Sequence, residues 1–224
     1  NANTNFAVTT YEKGTLTVDK LPVNISAVSD QSKIYGEPAD KEHFAYVVSS
    51  IGKGGEKTEI DIKKIKEELD ALDNAGTHIL DRDRTADDPE AVGKYDYVIA
   101  AEKGDYGNYK LTYTGTEEKF EIKPLNVIIS ADPQEKFYGS DASPDLKTAY
   151  TVDFSGENYE GEFKSNKSEK NVKTEDDVRN AFAALDKDIF EIDKLSSDAG
   201  NYTINLVKDL SNYNITYVPN TYTI

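Results

Sequence analysis

Two segments of the chain, 104 residues apart, open with the same alternation of apolar and polar positions. Val, Ile and Ala fall on every second position of 23–27, and the same three residue types do so in 127–131. A period of two is typical of a strand with one buried face. Similar patterns predict further strands at 44–48, 77–80, 95–101, 149–154, 189–192 and 202–207.

A helical period follows the second predicted strand of each segment. Apolar residues recur at helical spacing in 62–72 and again in 178–185. Each run follows a threonine that has an aspartate three positions later, namely Thr58 with Asp61 and Thr174 with Asp177. Because this spacing lets the two residues cap the first helical turn reciprocally, we predict a helix at each place.

A pair of predicted strands closes each segment. The strands 109–114 and 119–122 are separated by a short polar stretch, and so are 213–217 and 221–224. We interpret each pair as a β-hairpin.

These correspondences indicate a tandem duplication, and the start of the chain adds a third partial copy. Asn5–Thr9 has the Asn-aromatic-x-aliphatic-Thr pattern of Asn108–Thr112 and Asn212–Thr216. The fold class that we predict is α+β, with two tandem β-grasp-like units, each a mainly antiparallel sheet with one helix, in an elongated array. The predicted domains are 1–18 (C-terminal hairpin of a preceding repeat), 19–122 (first repeat unit) and 123–224 (second repeat unit).

Composition narrows the classes of function. The chain carries 26 Lys and Arg against 42 Asp and Glu, a net charge of −16, which argues against nucleic acid as a partner. No apolar stretch approaches the length of a membrane span, so no membrane insertion is predicted. The absence of cysteine excludes disulfides and thiolate chemistry.

Catalytic motifs find no support in the duplicated pattern. His43 and His78 are the only histidines, and neither has a counterpart in the other repeat. Histidine is the most frequent general base in enzymes. Because neither histidine recurs, a histidine active site present in both repeats is excluded. We therefore predict that the chain is not an enzyme.

The repeat resembles the MBG domains of the Tyr-Gly type, found in large surface proteins of Gram-positive and other bacteria. The motifs that carry this resemblance are an opening strand with Ser-Ala, Tyr35-Gly36 and Tyr138-Gly139, Gly93/Tyr95 and Gly200/Tyr202, and a terminal Asn-Tyr hairpin. The resemblance implies an extracellular protein, cell-wall-attached or secreted, and it brings no catalytic residues.

Three functions stay open on this basis. The segment is an adhesin repeat that binds host mucin or a matrix glycoprotein, a ligand-free stalk that spaces a binding domain from the wall, or an accessory module of a secreted carbohydrate-active enzyme. In the first two, neighbouring repeats of the same chain are its partners. Mucin glycans carry sialate and sulfate, so binding by this acidic chain should strengthen from pH 7 to pH 5.

The acidic stretch 81–90 is the candidate metal site. Its carboxylates are the oxygen ligands that Ca²⁺ prefers. The EF-hand spacing is not met, because Ala86 stands where that motif has glycine, and the second repeat has no equivalent stretch. The alternative is a solvated acidic loop. No other cofactor is predicted. The candidate calcium ligands are Asp81, Asp83, Asp87 and Asp88.

Two tyrosines are candidates for contact with a ligand. Tyr106 and Tyr159 lie near glycines in polar stretches and have no counterpart in the other repeat. A phenol offers an apolar face and a hydroxyl, which suits a sugar. The tyrosines that recur in register are interpreted as structural instead: Tyr35, Tyr95, Tyr138 and Tyr202.

Overall fold

A computed structural model describes residues 12–38, 44–51, 59–75, 78–100, 105–115, 117–154, 167 and 170–224. In chain order the strands are β1 (Leu21–Ala27), β2 (Ser32–Ile34), β3 (Tyr46–Ile51), β4 (Leu80–Arg82), β5 (Gly93–Ile99), β6 (Asp105–Tyr106), β7 (Tyr109–Tyr113), β8 (Lys119–Lys123), β9 (Leu125–Ala131), β10 (Gln134–Glu135), β11 (Tyr150–Asp153), β12 (Phe190–Ile192), β13 (Asn201–Leu206), β14 (Tyr213–Val218) and β15 (Asn220–Thr223). The helices are α1 (Glu59–Asn74) and α2 (Glu175–Ala183).

The predicted α+β fold of two β-grasp-like units is wrong. Strands account for 39% of the structure and helices for only 13%. The described strands are divided among four small sheets, instead of one mainly antiparallel sheet in each repeat.

The closing strands explain this difference. The hairpin prediction pairs β7 with β8, but β7 lies parallel to β1 in one sheet. Strand β8 lies in another sheet, parallel to β2 and antiparallel to β5. Strands β14 and β15 separate in the same way, because β14 pairs with β9 and β15 with β13. The final pair of strands in each repeat therefore bridges two sheets and forms no hairpin.

Strand order repeats along the chain together with the sequence. The order β3-β1-β7 in the first repeat matches β11-β9-β14 in the second. The order β2-β8-β5-β4 likewise matches β10-β15-β13-β12. Among the described strands, β6 alone has no counterpart, and it extends the first sheet beyond β7.

Two compact units divide the chain, and their boundaries run through the first repeat. The first unit consists of Asn1–Ser26, Val47–Ile79 and Ile99–Thr114, and the second of Ala27–Tyr46, Leu80–Val98 and Gly115–Ile224. In the first unit, Val23 and Ile25 of β1 are fully buried, which confirms the alternation predicted for that strand. Helix α1 buries Ile65 and Leu69, four residues apart on one face.

The second unit contains the core of the second repeat. Strand β9 buries Leu125, Val127 and Ile129, and α2 adds Val178 and Phe182 to the same cluster. Burial of an aliphatic or aromatic side chain of this size contributes about 1.5–3 kcal/mol. A helix of nine residues is marginally stable in isolation, so α2 depends on its packing in this cluster.

The predicted capping box of α2 is confirmed. The Thr174 side chain accepts from the backbone N–H of Asp177, and the Thr174 N–H donates to Asp177 Oδ2 at 2.8 Å. Thr58, the predicted cap of α1, lies outside the described residues. Neither of the described helices has the length and apolar character needed to cross a membrane.

The first described residues, 12–20, form no helix or strand. Leu16 and Val18 are 88% and 84% exposed, whereas their repeat counterparts Phe120 and Ile122 are buried in β8. Residues 1–11 lie outside the described part, so the hairpin of a preceding repeat stays a prediction.

Candidate functional site

The Tyr35-Gly36 turn of the first repeat lies against the second repeat, inside the second compact unit. The N–H of Glu37 donates to the carbonyl of Ile34 at 3.1 Å, which closes a four-residue turn. Gly36 is its third residue and has φ +89°, a value that favours glycine. Strand β2 places this turn beside β8, and Pro124 alone separates β8 from β9.

The carbonyls of Tyr35 and Gly36, the two central residues of this turn, accept hydrogen bonds from the segment before α2. The Asn171 side-chain amide donates to the Tyr35 carbonyl at 2.6 Å, and the Val172 N–H donates to the Gly36 carbonyl at 3.2 Å. The N–H of Lys173 donates to Asn171 Oδ1 at 2.9 Å and thereby orients that side chain. Backbone groups of the first repeat are thus satisfied by the second.

The contact at Gly36 leaves no room for a side chain. A Cβ at this position would lie 2.4 Å from Cγ of Lys173 and 2.5 Å from Oδ1 of Asn171. Both distances are well inside van der Waals contact, and the Asn171 amide is held by its bond to Tyr35. Glycine is required here by the close approach as well as by the turn.

The Tyr35 ring is held on two sides. Its centroid lies 5.5 Å from that of Tyr213 in an edge-to-face arrangement, and Nζ of Lys173 lies 4.9 Å from its centroid. These geometries are those of favourable aromatic and cation–π pairs. Burial, followed by the proximity of Tyr35 and Asp177, raises the pKa of the Tyr213 hydroxyl above its usual value. Ile34 and Tyr35 also pack against the core of the second repeat.

The Asn-Tyr motif of the second repeat belongs to the same contact. Asn212 Oδ1 accepts from the N–H of Val92 at 2.9 Å, while the Asn212 carbonyl accepts from Leu125 at 3.2 Å. We define the junction as Tyr35-Gly36 and Val92 together with Asn171–Lys173 and Asn212-Tyr213. Sequence reasoning found the Tyr-Gly and Asn-Tyr motifs but missed that they meet, although their recurrence in register was a signal for a shared role.

Comparison with protein-family models, curated proteins and solved structures finds no match to this chain. The resemblance to MBG repeats therefore stays a prediction from the motifs.

Three of the four predicted calcium ligands interact with groups of their own loop. Asp81 pairs with Arg84 at 3.0 Å, Asp83 accepts from the N–H of Thr85, and Asp88 accepts from the N–H of Glu90. Over the described ranges, no three His, Cys, Asp or Glu side chains form a group that could hold a metal ion. The structure does not bring Asp81, Asp83, Asp87 and Asp88 together, and calcium binding there stays a prediction.

Glu90 of the same loop joins two strand residues, Lys33 of β2 and Arg82 of β4, in a buried ionic cluster that sequence reasoning missed. The side chain of Arg82 is fully buried and that of Lys33 is 6% exposed, and both pair with Glu90. The Arg82 guanidinium lies 4.9 Å from the centroid of the Tyr95 ring. Burial raises the pKa of the Glu90 carboxyl, but Lys33 and Arg82 lower it more, so it lies below its usual value.

The two candidate ligand tyrosines have different outcomes. Tyr106 is 2% exposed, and its hydroxyl donates to the carbonyls of His78 and Ile79 at 2.9 and 3.3 Å. The ring is therefore part of the first unit's core. The glycines near Tyr106 suggested an exposed loop, but the residue lies in β6 with its side chain on the buried face. Tyr159 lies outside the described residues.

A cleft of about 380 Å³ lies beside α2 in the second repeat. Lys147, Arg179 and Lys187 line it, and Asp186 supplies the opposite charge. Nη2 of Arg179 donates to the Tyr150 carbonyl at 2.8 Å, and the guanidinium lies 4.6 Å from the centroid of the Tyr150 ring. This cleft concentrates cationic groups in a chain whose net charge is −16.

Proposed function

We propose that the chain is a repeat segment of a bacterial surface protein that spaces a binding domain from the cell wall. The observation that carries the proposal is the junction, where the Tyr35-Gly36 turn is hydrogen-bonded and packed onto the second repeat. The repeated strand order supports it, because in both repeats the strand before the Tyr-Gly turn lies beside the last strand of the repeat.

A spacer needs joints that resist bending. Pro124 is the single residue between β8 and β9, which leaves little freedom at the connection. The bonds of Asn171 and Val172 to the turn, together with the bond from Val92 to Asn212, connect the two repeats at separate points. These contacts fix the β2-β8-β5-β4 sheet of the first repeat to the second repeat.

Spin labels at Lys94 and Glu191 test this fixed joint. Both residues are exposed, they lie in β5 and β12 of the second compact unit, and the chain has no cysteine of its own. We expect Lys94→Cys/Glu191→Cys, labelled and measured by pulsed EPR, to give one narrow distance distribution. Tyr35→Ala should broaden this distribution, because it removes the ring held by Lys173 and Tyr213.

Tyr138→Ala is the matched control, since this tyrosine of the second repeat is 72% exposed. We expect it to leave the distance distribution unchanged. A broad distribution in the chain without either alanine substitution would contradict the spacer proposal.

A second candidate function is adhesion to mucin glycans. The observation that favours it is the cationic cleft, since Lys147, Arg179 and Lys187 could attract sialate or sulfate groups. The net charge of −16 opposes such binding near neutral pH.

Immobilised mucin distinguishes the two functions. For a spacer we expect no saturable binding of the chain at pH 7 or pH 5, with periodate-oxidised mucin as the control. Saturable binding that periodate abolishes and that Lys187→Ala weakens would favour the adhesin function. Adhesion by an acidic chain should also strengthen from pH 7 to pH 5.

A further inference from the structure

The second repeat contains the same turn as the junction. Residues 136–139 read Lys-Phe-Tyr-Gly, where 33–36 read Lys-Ile-Tyr-Gly. The N–H of Ser140 donates to the carbonyl of Phe137 at 3.0 Å, and Gly139 has φ +80°. The backbone conformation is thus shared by the two turns.

The surroundings of the two turns are opposite. Phe137 is 88% exposed and Tyr138 is 72% exposed. A Cβ built on Gly139 would meet no atom within 4 Å, whereas one on Gly36 would clash with the second repeat.

The exposed aromatic pair is the feature that needs an explanation. Gly139 is accounted for by its positive φ alone. The turn does not require aromatic rings at 137 and 138, and adjacent exposed rings are a common mark of an interaction surface. Tyr35, which occupies the same place in the first repeat, shows what such a ring contacts.

We propose that Phe137–Gly139 is the docking site for a further repeat of this fold, an inference that rests on the proposed spacer function. The partner presents an amide side chain to the Tyr138 carbonyl, a backbone N–H to the Gly139 carbonyl, and a lysine and a tyrosine to the Tyr138 ring. These are the groups that Asn171–Lys173 and Tyr213 present to Tyr35 and Gly36.

The position of the turn agrees with this occupant. Strand β10 lies parallel to β15 as β2 lies parallel to β8, so each turn follows a strand beside the last strand of its repeat. A repeat joined after Ile224 through the same Lys-Pro connection would therefore begin beside Phe137–Gly139.

A lengthened chain tests the docking site directly. Residues 123–224 are copied once more after Ile224, which reproduces the connection at Lys123-Pro124. In the original chain we expect Tyr35→Ala to lower the melting temperature by about 5 °C and Tyr138→Ala to leave it within about 1 °C. In the lengthened chain, Tyr138→Ala should lower it by about as much as Tyr35→Ala does.

Nitration of tyrosine, read out by peptide mass spectrometry, gives a second measurement. In the lengthened chain the tyrosine of the copied Tyr-Gly turn is replaced by phenylalanine, so that the peptide containing Tyr138 has a mass of its own. Tyr138 should react readily in the original chain and be protected in the lengthened chain, and the half-buried Tyr35 should react less than the exposed Tyr138 in the original chain. If Tyr138→Ala is neutral and Tyr138 stays reactive in the lengthened chain while Tyr35→Ala remains costly, the docking proposal is overturned and the spacer function is not. If Tyr35→Ala is itself neutral in the original chain, the junction and the spacer proposal fail together with the docking site.

Discussion

Glu90→Gln is expected to lower the free energy of unfolding by about 2–4 kcal/mol at pH 7. Glutamine keeps the size of the side chain and one acceptor oxygen but removes its charge. The buried Arg82 and Lys33 then lose their shared counter-charge. The Glu90 side chain is 39% exposed, and solvent screening of that exposed part holds the expected loss below the full cost of breaking a buried ion pair.

Urea unfolding measures this loss, with Glu135→Gln as the control. Glu135 is exposed, so its variant should stay within about 0.5 kcal/mol of the parent chain. A Glu90→Gln variant as stable as the control would show that water already screens Arg82 and Lys33.

At acid pH the difference in the free energy of unfolding between the parent chain and Glu90→Gln should become smaller. Burial raises the pKa of the Glu90 carboxyl, but Lys33 and Arg82 favour the charged form more strongly, so folding lowers this pKa below its usual value. A group with a lowered folded pKa contributes stability above its unfolded pKa and loses it as the pH falls through the folded pKa. The difference in stability should therefore be largest near neutral pH and shrink below pH about 4. A constant difference across this range would contradict an electrostatic role for Glu90.

The periodicity of the sequence predicts which segments are strands more reliably than which strands pair. Alternation in 23–27 and 127–131 identifies β1 and β9, because burial of one face leaves a period of two. The same period says nothing about a partner strand. The short stretch between β7 and β8 reads as a hairpin loop, yet the two strands enter different sheets.

The hydrophobic pattern of the sequence also could not predict which polar side chains are buried. Arg82 lies in a run of charges that reads as a solvated loop, and its burial depends on Glu90 and on the Tyr95 ring. Tyr106 reads as a loop residue, and its burial depends on carbonyls more than 25 residues earlier in the chain. Only the three-dimensional arrangement supplies such partners.

The junction could be predicted in part from the same patterns. Recurrence of Tyr-Gly in 35–36 and 138–139 indicates a turn with a structural role, and the structure contains that turn in both repeats. Sequence alone could not separate the docked turn from the exposed one, because both contain the Tyr-Gly pair and the groups that surround each pair are brought there by the fold.

Gly36→Ala and Gly139→Ala form a matched pair that measures the junction. Both glycines have positive φ, so alanine strains each turn by about 1–2 kcal/mol. At Gly36 the new methyl group also collides with Lys173 and Asn171, which displaces the hydrogen bond to the Tyr35 carbonyl. Overpacking and the lost bond raise the expected total at Gly36 to about 3–5 kcal/mol.

Urea unfolding of the two alanine variants, followed by circular dichroism, gives the difference between them. Since the turn strain is common to both, this difference reports the contact with Asn171 and Lys173 alone. Gly36→Ala should also broaden the distance distribution between labels at Lys94 and Glu191, and Gly139→Ala should not. Equal losses of stability at the two glycines would mean that Asn171 and Lys173 move away from the methyl group at no cost in free energy. Contacts that are displaced at no cost could not hold successive repeats in a fixed arrangement, so this result would contradict the spacer proposal.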